Sequence, residues 1–128
     1  MSTRSEIEGR FAAVAASLNL PVAYQNVTFV KPQNGKWLEF FMLASASKNR
    51  SVDGLHYVVR GAFQINVYGP LNTGLGALDS IVSNIINAFP VVPKVGTVSI
   101  EQPLTDMPAL IVASSIMIPI RGSFRVEV

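Results

Sequence analysis

The chain has 128 residues, of which 49% are hydrophobic and 14% charged, with one His, no Cys and a net charge of +2. That length fits a single domain over residues 1–128 with a core of its own, and its apolar content excludes a disordered chain. Without cysteine there is neither a disulfide framework nor a cysteine-ligated zinc site. The charged fraction is little more than half the ~25% of an ordinary soluble domain, so part of the surface is uncharged and suited to cover by other subunits.

In chain order, Ile7, Phe11, Val14 and Leu18 recur at helical spacing, with Arg4, Glu8 and Ser17 off that face, which predicts an amphipathic helix over residues 3–18. Thr3 and Glu6 resemble a capping box, and Asn19 with Pro21 supplies the stop. Arg4, Glu6, Glu8 and Arg10 fall where a signal peptide needs an apolar segment, so the expected location is cytoplasmic. Val22 to Val30 reads as extended, and the turn signal of residues 31–36, with Asn34-Gly35 at its centre, predicts a hairpin into the next strand.

That strand, Trp37 to Ala44, is apolar on both alternating faces apart from Glu39, as in a strand covered on both sides. Ser45 to His56 is small, polar and aperiodic, which predicts a long surface loop. Tyr57 to Tyr68 alternates, with Val59, Phe63, Ile65 and Val67 on one side and Arg60, Gln64 and Asn66 on the other, the pattern of a half-solvated strand. Residues 69–74 break it. Asn72 or Thr73 is then placed to cap a helix from Leu75 to Phe89 whose stripe is Leu75, Leu78, Val82, Ile85, Ile86 and Phe89.

Val95 to Glu101, Leu110 to Ile120 and Phe124 to Val128 complete the predicted strands. Met107 to Ile120 carries no charge, but it is broken by Pro108 and Pro119 and falls short of the ~20 residues that span a bilayer. It reads as a buried strand. Hairpin-joined strands with two helices predict an α+β domain: a mainly antiparallel sheet with both helices packed on one face.

No catalytic, cofactor or metal site is expected. Ser51, Asp53 and His56 are the ingredients of covalent hydrolysis, but they share one loop, whereas a triad is fixed by separate rigid elements. A lone His with scattered acids does not make a metal site. Gly69, Gly74 and Gly76 precede a helix without the lysine and hydroxyl residue of a phosphate loop, and they read as turn glycines. Lys48 and Arg50, with Lys31, Lys36 and Arg60 near them in sequence, could serve a nucleic acid or an acidic protein surface. Asp53, Glu39 and the low charge density favour a solvated or inter-subunit loop instead. Trp37 fits a core or an interface better than a ligand platform.

An N-terminal helix of the form R-x-x-I-E-x-x-F (Arg4 to Phe11) precedes W-L-x-F (Trp37 to Phe40). A loop follows, then R-G-x-F-Q-I-x-V-Y (Arg60 to Tyr68), and then a glycine-containing turn into an apolar helix ending in Phe-Pro. This order resembles the small tail-terminator-like proteins of long-tailed bacteriophages, which are not enzymes. The resemblance implies a virion component, made in the host cytoplasm, that forms a ring, usually a hexamer. Such a ring caps the head-proximal end of the tail tube, ends its polymerisation and gives the head its attachment surface. Its implied partners are further copies of itself, the tail-tube protein and a head–tail connector protein, with no membrane and no specific nucleic-acid sequence. The alternatives are another head–tail connector or tail-completion protein, or a nucleic-acid-binding module. No site residue transfers from the family. The candidate contact residues come from the low-charge surface and the basic loop: Trp37, Phe41, Leu43, Lys48, Arg50 and Arg60.

Overall fold

The computed structural model describes residues 3–25, 27–30, 32, 35–43, 46–49, 57–72, 74–95, 98–100 and 102–127. Among them are two helices, α1 (Thr3–Leu18) and α2 (Gly76–Ala88). The strands are β1 (Val22–Tyr24), β2 (Trp37–Met42), β3 (Ala46–Asn49), β4 (Tyr57–Pro70), β5 (Val92–Val95), β6 (Val98–Ile100), β7 (Thr105–Asp106), β8 (Leu110–Val112) and β9 (Ser115–Glu127). They form one sheet in the order β1-β2-β4-β9-β6-β5, with β3 also beside β4, and β7 and β8 beside β9. Every pairing is antiparallel except β1 with β2. The fold is the expected α+β class.

Both helices lie on one face, and the ring contacts show why. Ile7, Phe11 and Ala15 of α1 are buried, as are Leu78, Val82 and Ile85 of α2 with Phe89 just beyond it. The Phe11 ring stacks 5.1 Å from Phe40, and Phe89 lies 5.2 Å from Phe63. Phe40 opposes Ile65, and Phe63 opposes Met42, so both rings rise from the same side of the pleat. Leu38, Ile65, Val67, Ile118, Ile120 and Phe124 complete that side. Each such side chain contributes about 1.5–3 kcal/mol on full burial. The close approach of α2 depends on Gly69, where a Cβ would come within 2.8 Å of Leu78.

The end of α1 is where the sequence puts it. Asn19 has φ 57°, its N–H donates to the Ala16 carbonyl, and the Leu20 N–H donates to the Ala15 carbonyl, each at 3.1 Å. This is the Schellman arrangement, with asparagine in the left-handed position. The side chains of Thr3 and Glu6 lie outside the described residues.

Several expectations are corrected. First, β1 and β2 do not form a hairpin. They run parallel, with Val22 opposite Leu38 and Tyr24 opposite Phe40. A turn is present where expected, since Gly35 has φ 72° and its N–H donates to the Pro32 carbonyl, but it lies in a crossover; Asn34 is outside the described residues. Burial decides the pairing: Tyr24 packs edge-on against Phe11 and Phe40, and the Gln25 side-chain oxygen accepts from the Met42 N–H.

Second, the polar stretch from Ser45 is not all loop. Ala46–Asn49 is a strand whose partners run from Arg60 back to Tyr57. Third, Leu110 to Ile120 is not one buried strand. It folds back at Ala113–Ser114 into a tight hairpin, Ala113 taking φ 53°, so Leu110 is 52% and Ile111 72% exposed. Strand β9 then continues unbroken into Phe124, merging two predicted strands. Similarly, Val95 ends β5 while β6 holds only Val98–Ile100. Fourth, α2 begins from Leu75 with no side-chain cap; Asn72 sits in the preceding turn at φ 65°, and Thr73 lies outside the described residues. Leu75 is exposed, outside the buried stripe.

Candidate functional site

Strand alternation sends a second set of side chains to the face away from the helices. Register aligns them in rows across β2, β4 and β9: Trp37–Tyr68–Met117, Glu39–Asn66–Pro119 and Phe41–Gln64–Arg121. A chain of hydrogen bonds runs diagonally through them. Arg121 Nη2 donates to Gln64 Oε1 at 3.0 Å, and Gln64 Nε2 donates to Asn66 Oδ1 at 2.8 Å. Asn66 Nδ2 donates to Glu39 Oε1 at 2.7 Å, and the Tyr68 hydroxyl donates to the same oxygen at 3.0 Å.

The ends set the polarity of the chain, because a guanidinium only donates and a carboxylate only accepts. Of the side expected to be half-solvated, Arg60 is exposed and Gln64 half-buried, but Asn66 is only 4% exposed. Its amide tolerates burial because both ends are bonded; an unmet donor there would cost about 1–3 kcal/mol.

Above this chain the aromatic rings gather. Trp37 and Tyr68 stack 4.4 Å apart at an interplanar angle of 2°, and Phe29 lies 6.2 Å from Trp37. Partial burial, helped by the hydrogen bond and the negative charge of Glu39, pushes the Tyr68 hydroxyl up to about 12. Because folding favours the protonated phenol, its contribution to stability is complete below the ordinary value of ~10 and is lost as pH rises through about 12. In the Glu39→Gln variant, Tyr68 is expected to titrate closer to ~10. The tyrosinate absorbance difference between chains with and without Tyr68→Phe measures this, and an unmoved midpoint would contradict the assignment.

Trp37, Glu39, Phe41 and Tyr68 line a concavity of about 510 Å3 between the β1 crossover, which contributes Val27 and Phe29, and the β8–β9 turn, which contributes Val112. Of its apolar lining, Val27 and Val112 are exposed. Among the described residues no three of His, Asp and Glu could hold a metal ion, and no helix is long and apolar enough to cross a membrane.

The structure brings some of the predicted residues together and separates others. Trp37 and Phe41 share the concavity. Leu43, half-buried just past β2, donates its N–H to the Ala62 carbonyl. Arg60 is exposed at the other end of β4, about 26 Å from Tyr68 at ~3.3 Å per residue. There it is paired across the strands with Arg125 and with Ala46, while Lys48 opposes Val58. Arg50, Ser51, Asp53 and His56 lie outside the described residues. Gly69, Gly74 and Gly76 occupy β4, a turn at φ 74° and the start of α2.

Sequence reasoning missed the grouping of Glu39 with Asn66 and Tyr68. The available signal was one charge in an otherwise apolar strand; the partner came only with the register of β2 on β4.

A family model described as phage tail terminator protein matches residues 4–124. No match is found among curated proteins. One solved structure, whose name states no function, is similar at 26% identity with a TM-score of 0.74, covering 98% of this chain and 96% of its own. A chain from the virion of a native gene transfer agent (GTA) particle shares the fold at 18% identity and a TM-score of 0.61, over 91% of this chain and 86% of that one.

Proposed function

Because the chain belongs to the family of phage tail terminator proteins, structural tail-completion components of the virion, we propose that it closes the head-proximal end of the tail tube as a ring. In this reading six copies form the ring, tube polymerisation stops there, and a head–tail connector protein binds the outward surface. The ring acts by shape and contact, without catalysis. Assembly follows in the host cytoplasm, and no membrane or specific nucleic-acid sequence takes part.

The family match across residues 4–124 carries the proposal. The surface supports it. A ring needs two different complementary patches on each copy, and an unprotected apolar sheet edge is a ready template for another chain. Among the described residues strand β8 is such an edge, paired with β9 on one side and holding exposed Leu110, Ile111 and Val112.

The test adds the purified chain to polymerising tail-tube protein and measures tube lengths by electron microscopy. Shorter tubes with the chain bound at one end are expected. Unchanged lengths with no bound chain would overturn the proposal.

A further inference from the structure

We propose that the concavity around Glu39 receives an arginine or lysine side chain, flanked by apolar residues, from a different protein of the tail. The inference deepens the tail-completion reading and rests on it. Glu39 is half-buried on the floor of the concavity. One of its oxygens accepts from Asn66 and Tyr68, both neutral donors, and no basic side chain pairs with it among the described residues. A half-buried carboxylate held only by neutral donors keeps its charge available to a cation, and a charge-assisted bond to one is stronger than a neutral one. The walls suit one, because Phe29, Trp37, Phe41 and Tyr68 line the same space and ring faces attract guanidinium and ammonium groups. A guanidinium would also match the carboxylate's geometry. Val112 at the rim gives apolar neighbours of that cation a surface.

Among the described residues the basic side chains are engaged already, and the charge and ring faces of the concavity are left to complement a cation of another tail protein. Arg10 lies 5.7 Å over the Phe89 ring, and Arg121 holds Gln64. Lys36, Arg60 and Arg125 each have a partner within the chain.

Trp37 is the one tryptophan of the chain, so its emission reports the site. The full-length protein is titrated with a capped leucine-arginine-leucine peptide and with the same peptide carrying citrulline. The arginine peptide is expected to change Trp37 emission saturably, and the citrulline peptide to bind about tenfold more weakly or less. Glu39→Gln retains an acceptor for Asn66 and Tyr68, so it folds while losing the charge, and it is expected to weaken arginine-peptide binding by a similar factor. Circular dichroism checks the fold.

No saturable change, equal binding of both peptides, or undiminished binding by Glu39→Gln would overturn the site. Emission that shifts with protein concentration alone, in a manner lost in Glu39→Gln, would identify the occupant as a second copy and overturn the assignment to a different protein. Tube capping distinguishes this site from the function it rests on. Capping without peptide binding removes the site alone, and peptide binding without capping removes the tail-completion reading alone.

Discussion

Changing Ile111 to lysine is expected to raise the concentration at which copies self-associate by about thirtyfold, the effect of losing one contact worth ~2 kcal/mol. Ile111 is 72% exposed in the single chain, so its own packing contributes little to the fold. A surface change of this kind alters chain stability by no more than about 0.5 kcal/mol. The same side chain matters once another copy covers β8, because an apolar residue on an unpaired edge is buried there while a lysine must lose its hydration. Sedimentation velocity over a range of concentrations, with thermal unfolding as the control, separates the two effects. Association equal to that of the unchanged chain would remove β8 from the ring contact.

The second large effect lies inside the fold. Gly122 of β9 faces Phe63 of β4, and a Cβ there would come 2.6 Å from the tip of the Phe63 ring and 3.0 Å from Leu104. Phe63 is fully buried, with Phe40 at 6.1 Å and Phe89 at 5.2 Å, so the ring has little room to move. Gly122→Val is therefore expected to cost about 1–3 kcal/mol despite valine's preference for strands. Adding Phe63→Leu should return part of that loss, because the two positions share one space and their effects are not additive. Urea unfolding of the two single variants and the double variant measures this. Additive losses would show that the clash is relieved elsewhere.

The two helices and β4 were legible in the sequence because each has a period that local chemistry sets and burial then uses. Ile7 and Phe11, and Leu78, Val82 and Ile85, face the core where their spacing puts them. Sheet edges were not legible. A turn signal at Asn34-Gly35 announces a bend but does not say which strand the chain meets next, and the packing of Tyr24 against Phe11 and Phe40 decided for a parallel pair. The hairpin at Ala113–Ser114 has none of the glycine or asparagine that usually marks one. At the candidate site, Trp37, Phe41 and Glu39 could be placed on one side of a strand from alternation alone. The bonds of Glu39 to Asn66 and Tyr68 join residues far apart in the chain, and only register brings them together.

The central claim is a position in the virion, and labelling measures it. Purified virions carrying the tagged chain, decorated with gold and imaged by electron microscopy, are expected to show label in one cluster where the tail meets the head. Label spread along the tail, confined to its far tip or absent from the particle would contradict the account.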